Sequence, residues 1–574
     1  MFLLMFFSVR NDSATFDEVA HIPAGYSYIT QQDYRLNPEH PPLIKDLSAI
    51  PLLFLKLNFP ANIPAWRDQI NGQWEFGHYF LYEANINTDQ ILLWARFPMM
   101  LLALLFGWLL FKWAGKNYGN KVGLLTLFFY SFSPTIIAHS RYVTTDIGAA
   151  FGFFIGITTF INFLTSPTKK NLLMAGLAFG IALLLKFSVA LLTPIYAVLA
   201  ILWIFLDKSN FLKTIGKTIL IGLIGIVVIW GVYEFQILRY PQEIQIQSAQ
   251  GLPFSFLITA LSQHKITQGL GQYLLGLILT LQRASGGNNV YFMGTVSASG
   301  STAYFPILYL LKESLAFHIL TIIILIFSIT NIIRTKEKSF RAIVEWMHDN
   351  FAITASAIFV LIYWTQAVTS NLNIGLRHIL PTLPFIYFMV ARQTIRWAKN
   401  SPIENPQSVF DYIKHFYYLY VKSIEKYLIV ASLLLWILLA DILAFPYFVS
   451  YYNGLGGGIW NGYKIATDSN YDWGQDLIRL KDWLNTQPQI TKINLDYFGG
   501  GDPQYYLGDK FVPWWSAKGL PQAGSWLAIS VNSLQGAIAK PTKSFVVKPE
   551  DSYSWLKDKK PTYHPVPSIL IYKF

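Results

Sequence analysis

The chain has 574 residues, 53% of them hydrophobic and only 13% charged, with a formal net charge of +12 and no cysteine. A soluble chain normally carries about a quarter charged residues, and runs such as "ILIGLIGIVVIWGVY" are of bilayer-crossing character, so a polytopic membrane protein is indicated and a soluble one excluded. Disulfides, thiolate catalysis and Cys-ligated metals are excluded too, and nucleic acid is not an expected partner, because Lys and Arg gather in the short loops "KNYGNK", "PTKKN", "DKSNFLKTIGK" and "RTKEKSFR", the positive-inside pattern of cytoplasmic loops.

In chain order, "MFLLMFFSV" before Arg10 is too short to span. It also lacks the basic start of a signal peptide. Either the true start lies upstream or the first span is truncated. Spans are expected at 91–113, 122–138, 147–165, 171–187, 188–206, 218–235, 314–333, 351–369, 378–396 and 427–446, about eleven in all with the first. The apolar run 171–206 is twice a single span, and the cost of a mid-bilayer charge splits it near Lys186. With "KNYGNK" inside, residues 10–90 fall outside, as do 139–146, 236–313, 370–377 and everything after 447. The last stretch changes character. Strand-like pieces "KINLDYF", "SWLAISV" and "SILIYKF" and the amphipathic "LIRLKDWLN" are separated by turn residues. The expected fold is mainly α: a transmembrane helix bundle over 1–446 and a small extracytoplasmic α/β domain over 447–574. No internal repeat is visible.

The polar residues that could carry chemistry lie in the outer segments. In "FDEVAH", Asp17 and Glu18 fit either a favourable helix N-terminus or a general base for a hydroxyl nucleophile. In "NPEHPPLIKDL", His40 and Lys45 flank a stiff proline pair, as a rigid interfacial loop or as a cationic site for an anionic head group. Arg141 and Asp146 bracket the short outer loop of "AHSRYVTTDIGAAF". They read as an ion pair pinning a hairpin, or as a phosphate ligand and a sugar or acceptor ligand, since guanidinium binds phosphate in a bidentate fork. Lys186 in "ALLLKFSVALL" is a lysine within an apolar run, a functional candidate unless it marks a helix end. Arg377 and His378 open a span in "NLNIGLRHILPTLPF". "RASGGNNVYFMG" and "GTVSASGSTAYFPILYLLKES" form a Gly/Ser-rich outer loop, either a linker or a loop that orders around substrate. Asp468, Asn470 and Asp472 imitate the start of an EF-hand loop, but Trp473 and Arg479 stand where Gly and Glu are required. "YFGGGDP" lacks the Gly-Lys-Ser/Thr ending of a P-loop and reads as a turn.

Taken in order, "FDEVAH", "EHPPLIK", "SRYVTTD", "GIALLLKFS", "GLRHILPTLPF" and "DSNYDWGQDLIRLKDWL" resemble the lipid-phosphate-sugar-dependent glycosyltransferases of the GT-C fold, the protein O-mannosyltransferases and aminoarabinose transferases. The resemblance covers most of the chain, and "DSNYDWGQDL" is similar to a signature of a prokaryotic branch. It implies about a dozen membrane helices with the active site at the outer surface of the cell membrane, a polyprenyl-phosphate sugar donor, and a usually inverting transfer to a hydroxyl on protein, lipid or glycan. Asp17 and Glu18 match the family's acid pair in the first outer loop, and Arg141 and Asp146 the Arg and Asp of the second. The central loop after 236 leaves no room for the lumenal trefoil-like domain of the eukaryotic members, which leaves the acceptor open.

On this reading Asp17 takes the acceptor proton and Arg141, Lys186 and Arg377 stabilise the leaving phosphate. Asp146 sits beside the sugar or acceptor. His378, His40 and Lys45 support the phosphate, and Glu18 orients Asp17 or binds a divalent cation. Metal dependence is open and no organic cofactor is expected. A secondary transporter and a non-catalytic scaffold are the rival readings. Against the first, the polar residues lie in outer loops rather than at mid-membrane. Against the second, a scaffold needs no set of acids beside phosphate-suited cations.

Overall fold

The computed structural model describes residues 1–85, 87–334, 339–399, 408–542, 545–546, 548, 550 and 552–574. The middle of the basic loop "RTKEKSFR", 335–338, lies outside the described residues. Among the described residues, seven helices are long and apolar enough to cross a membrane: Thr88–Tyr118, Thr145–Thr165, Phe187–Asp207, Phe211–Gln236, Leu315–Arg334, Phe351–Thr369 and Lys422–Ala444. The other expected spans are helical but shorter or interrupted. The 122–138 run is a helix ending at Ser131 and a short one restarting at Pro134, capped by Ser133. Proline fits a helix's first turn, where its missing N–H has no intrahelical partner to lose. The 378–396 run begins as a tight turn holding Pro381 before the Leu383–Ala398 helix. The 171–206 run breaks near Lys186: one helix ends at Leu183, Lys186 is extended, and the next turn starts at Phe187.

The tail folds as its pattern predicts. Its strands are β3 (Ile493–Asp496), β4 (Phe511–Pro513), β5 (Trp526–Ser530), β7 (Tyr563–Val566) and β8 (Ile569–Lys573), in the order β4-β3-β5-β8-β7. β3 runs parallel to β4 and β5, and β8 antiparallel to β5 and β7. The amphipathic segment is the Leu477–Asn485 helix. A hairpin from the Gly/Ser-rich loop, β1 (Val290–Phe292) and β2 (Thr295–Ser297), pairs with β6 (Lys540–Pro541) of the tail.

The tail is docked, not tethered. One continuous buried apolar cluster runs from Met5 to Tyr572. The "GGG" turn packs on the start of the Phe16–Gln31 helix: Gly500 N–H donates to Ala14 O at 3.2 Å, and Tyr82 Oη donates to Gly500 O at 2.8 Å. A Cβ on Gly500 would meet Thr15 O at 2.3 Å, closer than van der Waals contact permits, so glycine is required for this approach. Phe498 stacks on Phe16 at 5.7 Å. The tail thus fixes the helix start that carries Asp17.

Candidate active site

Asp17 and Glu18 are adjacent in the first turn of a helix, so their side chains point about 100° apart. Glu18 turns inward. It is fully buried, and its Oε1 and Oε2 accept from Arg96 Nε and Nη2 at 2.8 and 2.7 Å. Val143 N–H donates to the same carboxylate at 3.0 Å, and Thr15 N–H at 2.9 Å. Thr15 and Glu18 form a capping box, the reciprocal arrangement that satisfies otherwise orphaned helix N–H groups. Glu18 therefore anchors the helix start and offers no face to a metal or an acceptor. Removing one partner of a buried ion pair costs about 3–5 kcal/mol. Glu18→Gln is accordingly expected to lower the thermal midpoint of the detergent-solubilised protein, with no recovery on adding divalent cations; rescue by a divalent cation would overturn this placement.

Asp17 turns outward and meets Arg377. Asp17 Oδ2 accepts from Arg377 Nη1 at 2.6 Å, the same nitrogen lies 3.3 Å from Asp146 Oδ2, and Lys186 Nζ donates to Asp146 Oδ1 at 2.6 Å. Four residues from four distant segments thus form one chain of alternating charge. Its ends reach the surface: the Asp17 side chain is 23% exposed and Lys186 14%, against 1% for Asp146. The break at Lys186 delivers that lysine to Asp146, which sits in the first turn of the Thr145–Thr165 helix. Burial raises the Asp17 pKa, but Arg377 and then His21 outweigh it and hold the carboxyl below its ordinary value.

The tail builds one wall. The Trp473 ring lies against the Arg377 guanidinium, 4.4 Å from ring centroid to Cζ. Trp473 O accepts from Phe16 N–H at 3.2 Å. Ser469 Oγ donates to Ile374 O at 2.5 Å, and Asn470 Oδ1 accepts from Leu376 N–H at 2.9 Å. A Cβ on Gly375 would meet Ser469 Oγ at 2.2 Å, so this glycine lets the tail close on the loop leading into Arg377.

Two expected phosphate ligands are committed elsewhere. Arg141 is buried, paired with Asp12 at 3.1 Å and flanked by the Tyr142 and Phe448 rings. Asp12 also takes Tyr142 Oη at 2.6 Å and Arg479 at 2.5 Å, and Arg479 pairs with Asp476 at 2.7 Å. This buried network joins the tail to the loop before Asp17, and a phosphate could reach Arg141 only by displacing it. Lys45 is fully buried and donates to Tyr28 Oη, His40 O, Asn37 O and Asn37 Oδ1 at 2.7–3.0 Å. Burial drives its pKa down to about 7. It holds the "NPEHPP" loop rather than facing a ligand.

His40 and His378 are half-buried, and both lie within electrostatic range of Lys186 and of Arg283. Arg283 is exposed near the end of the Gln268–Gly286 helix. It was not among the expected residues, and nothing in "LQRASGG" marks it. His21 was also missed, although Asp17 and His21 stand four apart and so share a helix face. Its Nδ1 lies 2.8 Å from Val143 O and its ring meets His40 at 5.0 Å. Among the described residues no three His, Asp or Glu side chains converge to hold a metal. Three of the four carboxylate oxygens of Asp17 and Asp146 are bonded to Arg377 or Lys186.

Residues 88–235, the segment with Arg96, Arg141, Asp146 and Lys186, match the family described as dolichyl-phosphate-mannose-protein mannosyltransferase. Similar solved structures include ArnT from Cupriavidus metallidurans bound to undecaprenyl phosphate, at 11% identity and a TM-score of 0.45, covering 99% of this chain and 95% of that one. The archaeal oligosaccharyltransferase AglB from Archaeoglobus fulgidus, in complex with an inhibitory peptide and a dolichol-phosphate, gives 11% and 0.44 over 94% and 70%. The S. cerevisiae Pmt1–Pmt2 complex bound to the sugar donor gives 20% and 0.28 over 40% and 31%. No curated protein matches the chain. By the matched segment and the motifs that flank it, the chain resembles the GT-C-fold, polyprenyl-phosphate-sugar-dependent glycosyltransferases, and its long apolar helices are those of a multi-pass membrane protein.

Proposed function

We propose that this protein moves a sugar from a polyprenyl-phosphate donor to a hydroxyl acceptor at the extracytoplasmic face of the cell membrane, with inversion at the anomeric carbon. The observation that carries this reading is the Asp17–Arg377–Asp146–Lys186 chain, open at a carboxylate end and at a cationic end. The donor phosphate docks at Lys186 and Arg377, with His378, His40 and Arg283 around it. The acceptor oxygen attacks the anomeric carbon, the bond from that carbon to the phosphate oxygen breaks with its electron pair on the phosphate, and the hydroxyl proton passes to Asp17. Arg377 and Lys186 then meet the charge that grows on the leaving group, where fixed charges act most strongly. No step runs through a metal.

The placement outside rests on charge and length. Arg96, beside Glu18, and Lys116, in the basic inner loop, share one helix and stand 20 residues apart in it. At 1.5 Å per residue that separation is about 30 Å, the thickness of the hydrocarbon core. With no native cysteine, Asn11→Cys, Asn371→Cys and Gln522→Cys, all at exposed positions, are expected to react with an impermeant thiol reagent in intact cells or spheroplasts. Labelling only after membrane disruption would reverse the orientation. The function itself is tested in proteoliposomes: radiolabel is expected to leave dolichyl- or undecaprenyl-phosphate mannose in a protein-dependent way. Movement of intact donor or free sugar across the bilayer without bond cleavage would favour a transporter instead.

A further inference from the structure

We propose that Asp468, brought to the site by the C-terminal domain, binds the acceptor by accepting a hydrogen bond from a second hydroxyl next to the one that reacts, so that the site selects a vicinal diol of a sugar. This rests on the glycosyltransferase reading above.

Asp468 has a φ of +56°, a left-handed conformation uncommon outside glycine. Several parts of the chain hold it there. Asn532 Oδ1, from the Val531–Ile538 helix, accepts from Asp468 N–H at 3.1 Å and from Thr467 Oγ1 at 2.6 Å. Asn470 Nδ2 donates to Tyr304 Oη at 2.8 Å. Ser469 and Asn470 tie the turn to the segment before Arg377, as described. A strained residue that its surroundings over-determine points to a use. Thr467, Ser469 and Asn470 are buried, whereas Asp468 is partly exposed, so the turn presents this one side chain.

Its neighbours sort the site by charge. The ionisable groups facing Asp468 are Arg377, Asp17 and the Tyr304 phenol. Burial raises its pKa to about 6, with Arg377 opposing and Asp17 adding. Asp17 and Asp468 therefore bear on Arg377 at one side of the ion-pair chain, and Lys186, with Arg283 and the two histidines in its electrostatic range, forms the other end. An anionic phosphate is repelled by the first side and drawn to the second. Hydroxyl donors suit the first. One carboxylate, Asp17, serves the reacting hydroxyl, which leaves Asp468 for its neighbour.

Asp468→Asn isolates the charge. Asparagine tolerates the left-handed backbone and its Oδ1 can still accept from Ser469 N–H, as Asp468 Oδ1 does at 2.5 Å. With radiolabelled dolichyl- or undecaprenyl-phosphate mannose as donor, three acceptors are compared: a methyl glycoside, its monodeoxy analogues and a serine peptide. The wild-type protein is expected to prefer the glycoside over the analogue lacking the adjacent hydroxyl about tenfold, the cost of one lost hydrogen bond to a charged group. Asp468→Asn is expected to raise the glycoside KM about tenfold and erase that preference. Donor KM and the slow hydrolysis of donor by water should not change. In the wild type, kcat/KM for the glycoside should fall below about pH 6, as Asp468 takes up its proton, and this fall should vanish in the variant. An unchanged glycoside KM in Asp468→Asn, or wild-type transfer to the serine peptide as efficient as transfer to the glycoside, would overturn the inference. If the wild type releases no sugar even to water, the glycosyltransferase reading falls with it.

Discussion

Asp17→Asn is expected to slow sugar transfer by about 10²–10⁴-fold, the range for loss of a general base, while donor binding stays close to native. Asparagine keeps the size of the side chain, and its amide oxygen can still accept the 2.6 Å hydrogen bond that Arg377 donates to the Asp17 carboxylate. What disappears is the basic oxygen. Hydrolysis of donor by water should fall in parallel, because water must also lose a proton. Since Arg377 holds Asp17 below the ordinary carboxylate value, this base stays ionised throughout the neutral range, and the rate loss it causes on acidification is displaced to the acid side of an ordinary carboxylate. A fall near pH 6 belongs to Asp468; in Asp17→Asn, measured on the residual rate, it should survive but move to lower pH, because the Asp17 charge that adds to the Asp468 pKa is gone. Near-native turnover of Asp17→Asn would move the base elsewhere, to Asp468 rather than to Asp146, whose two oxygens are occupied by Lys186 and Arg377.

Much of this was legible from pattern alone. Long apolar runs, basic loops and the change of character after 447 gave the helices and the tail, because hydrophobic length and period are local properties. The break near Lys186 followed from the cost of a buried charge. The site was legible in part. Asp17, Asp146, Lys186 and Arg377 were named for their residue types and do come together. The roles of Glu18, Arg141 and Lys45 were not legible, because whether a charged side chain faces a ligand or a buried partner depends on residues far away in sequence. Arg96 lies 78 residues from Glu18, and Asp12 lies in the short loop before the acid pair, with no motif around it. For Glu18 a local signal did exist: Thr-x-x-Glu ahead of a helix is a capping box, and it competed with the catalytic reading of the same acid. Asp468 was weighed only as a calcium ligand, since nothing in the sequence brings it beside Arg377.

The second large effect is expected at Arg377. Arg377→Lys should lower kcat by about 10²–10³-fold, the loss seen when one preorganised electrostatic donor is removed from a reacting site. The charge is conserved in this variant, so the argument concerns shape. Arg377 spans two carboxylates, Asp17 and Asp146, through Nη1 while its flat face lies on the Trp473 ring. A lysine ammonium is a point charge on a flexible stem. It cannot lie flat on the indole, and it would settle on one carboxylate and release the other. Either choice is damaging. Pairing with Asp146 frees Asp17, whose pKa then rises toward its burial-driven value, so the acid-side loss of rate should move upward in pH. Pairing with Asp17 leaves Asp146 to Lys186 alone and withdraws positive charge from the leaving phosphate. The two cases are separable: the first shifts the pH profile with donor KM unchanged, and the second raises donor KM at constant pH dependence. A Lys variant with native kcat, donor KM and pH profile would show that Arg377 serves only to hold the tail domain against the membrane helices.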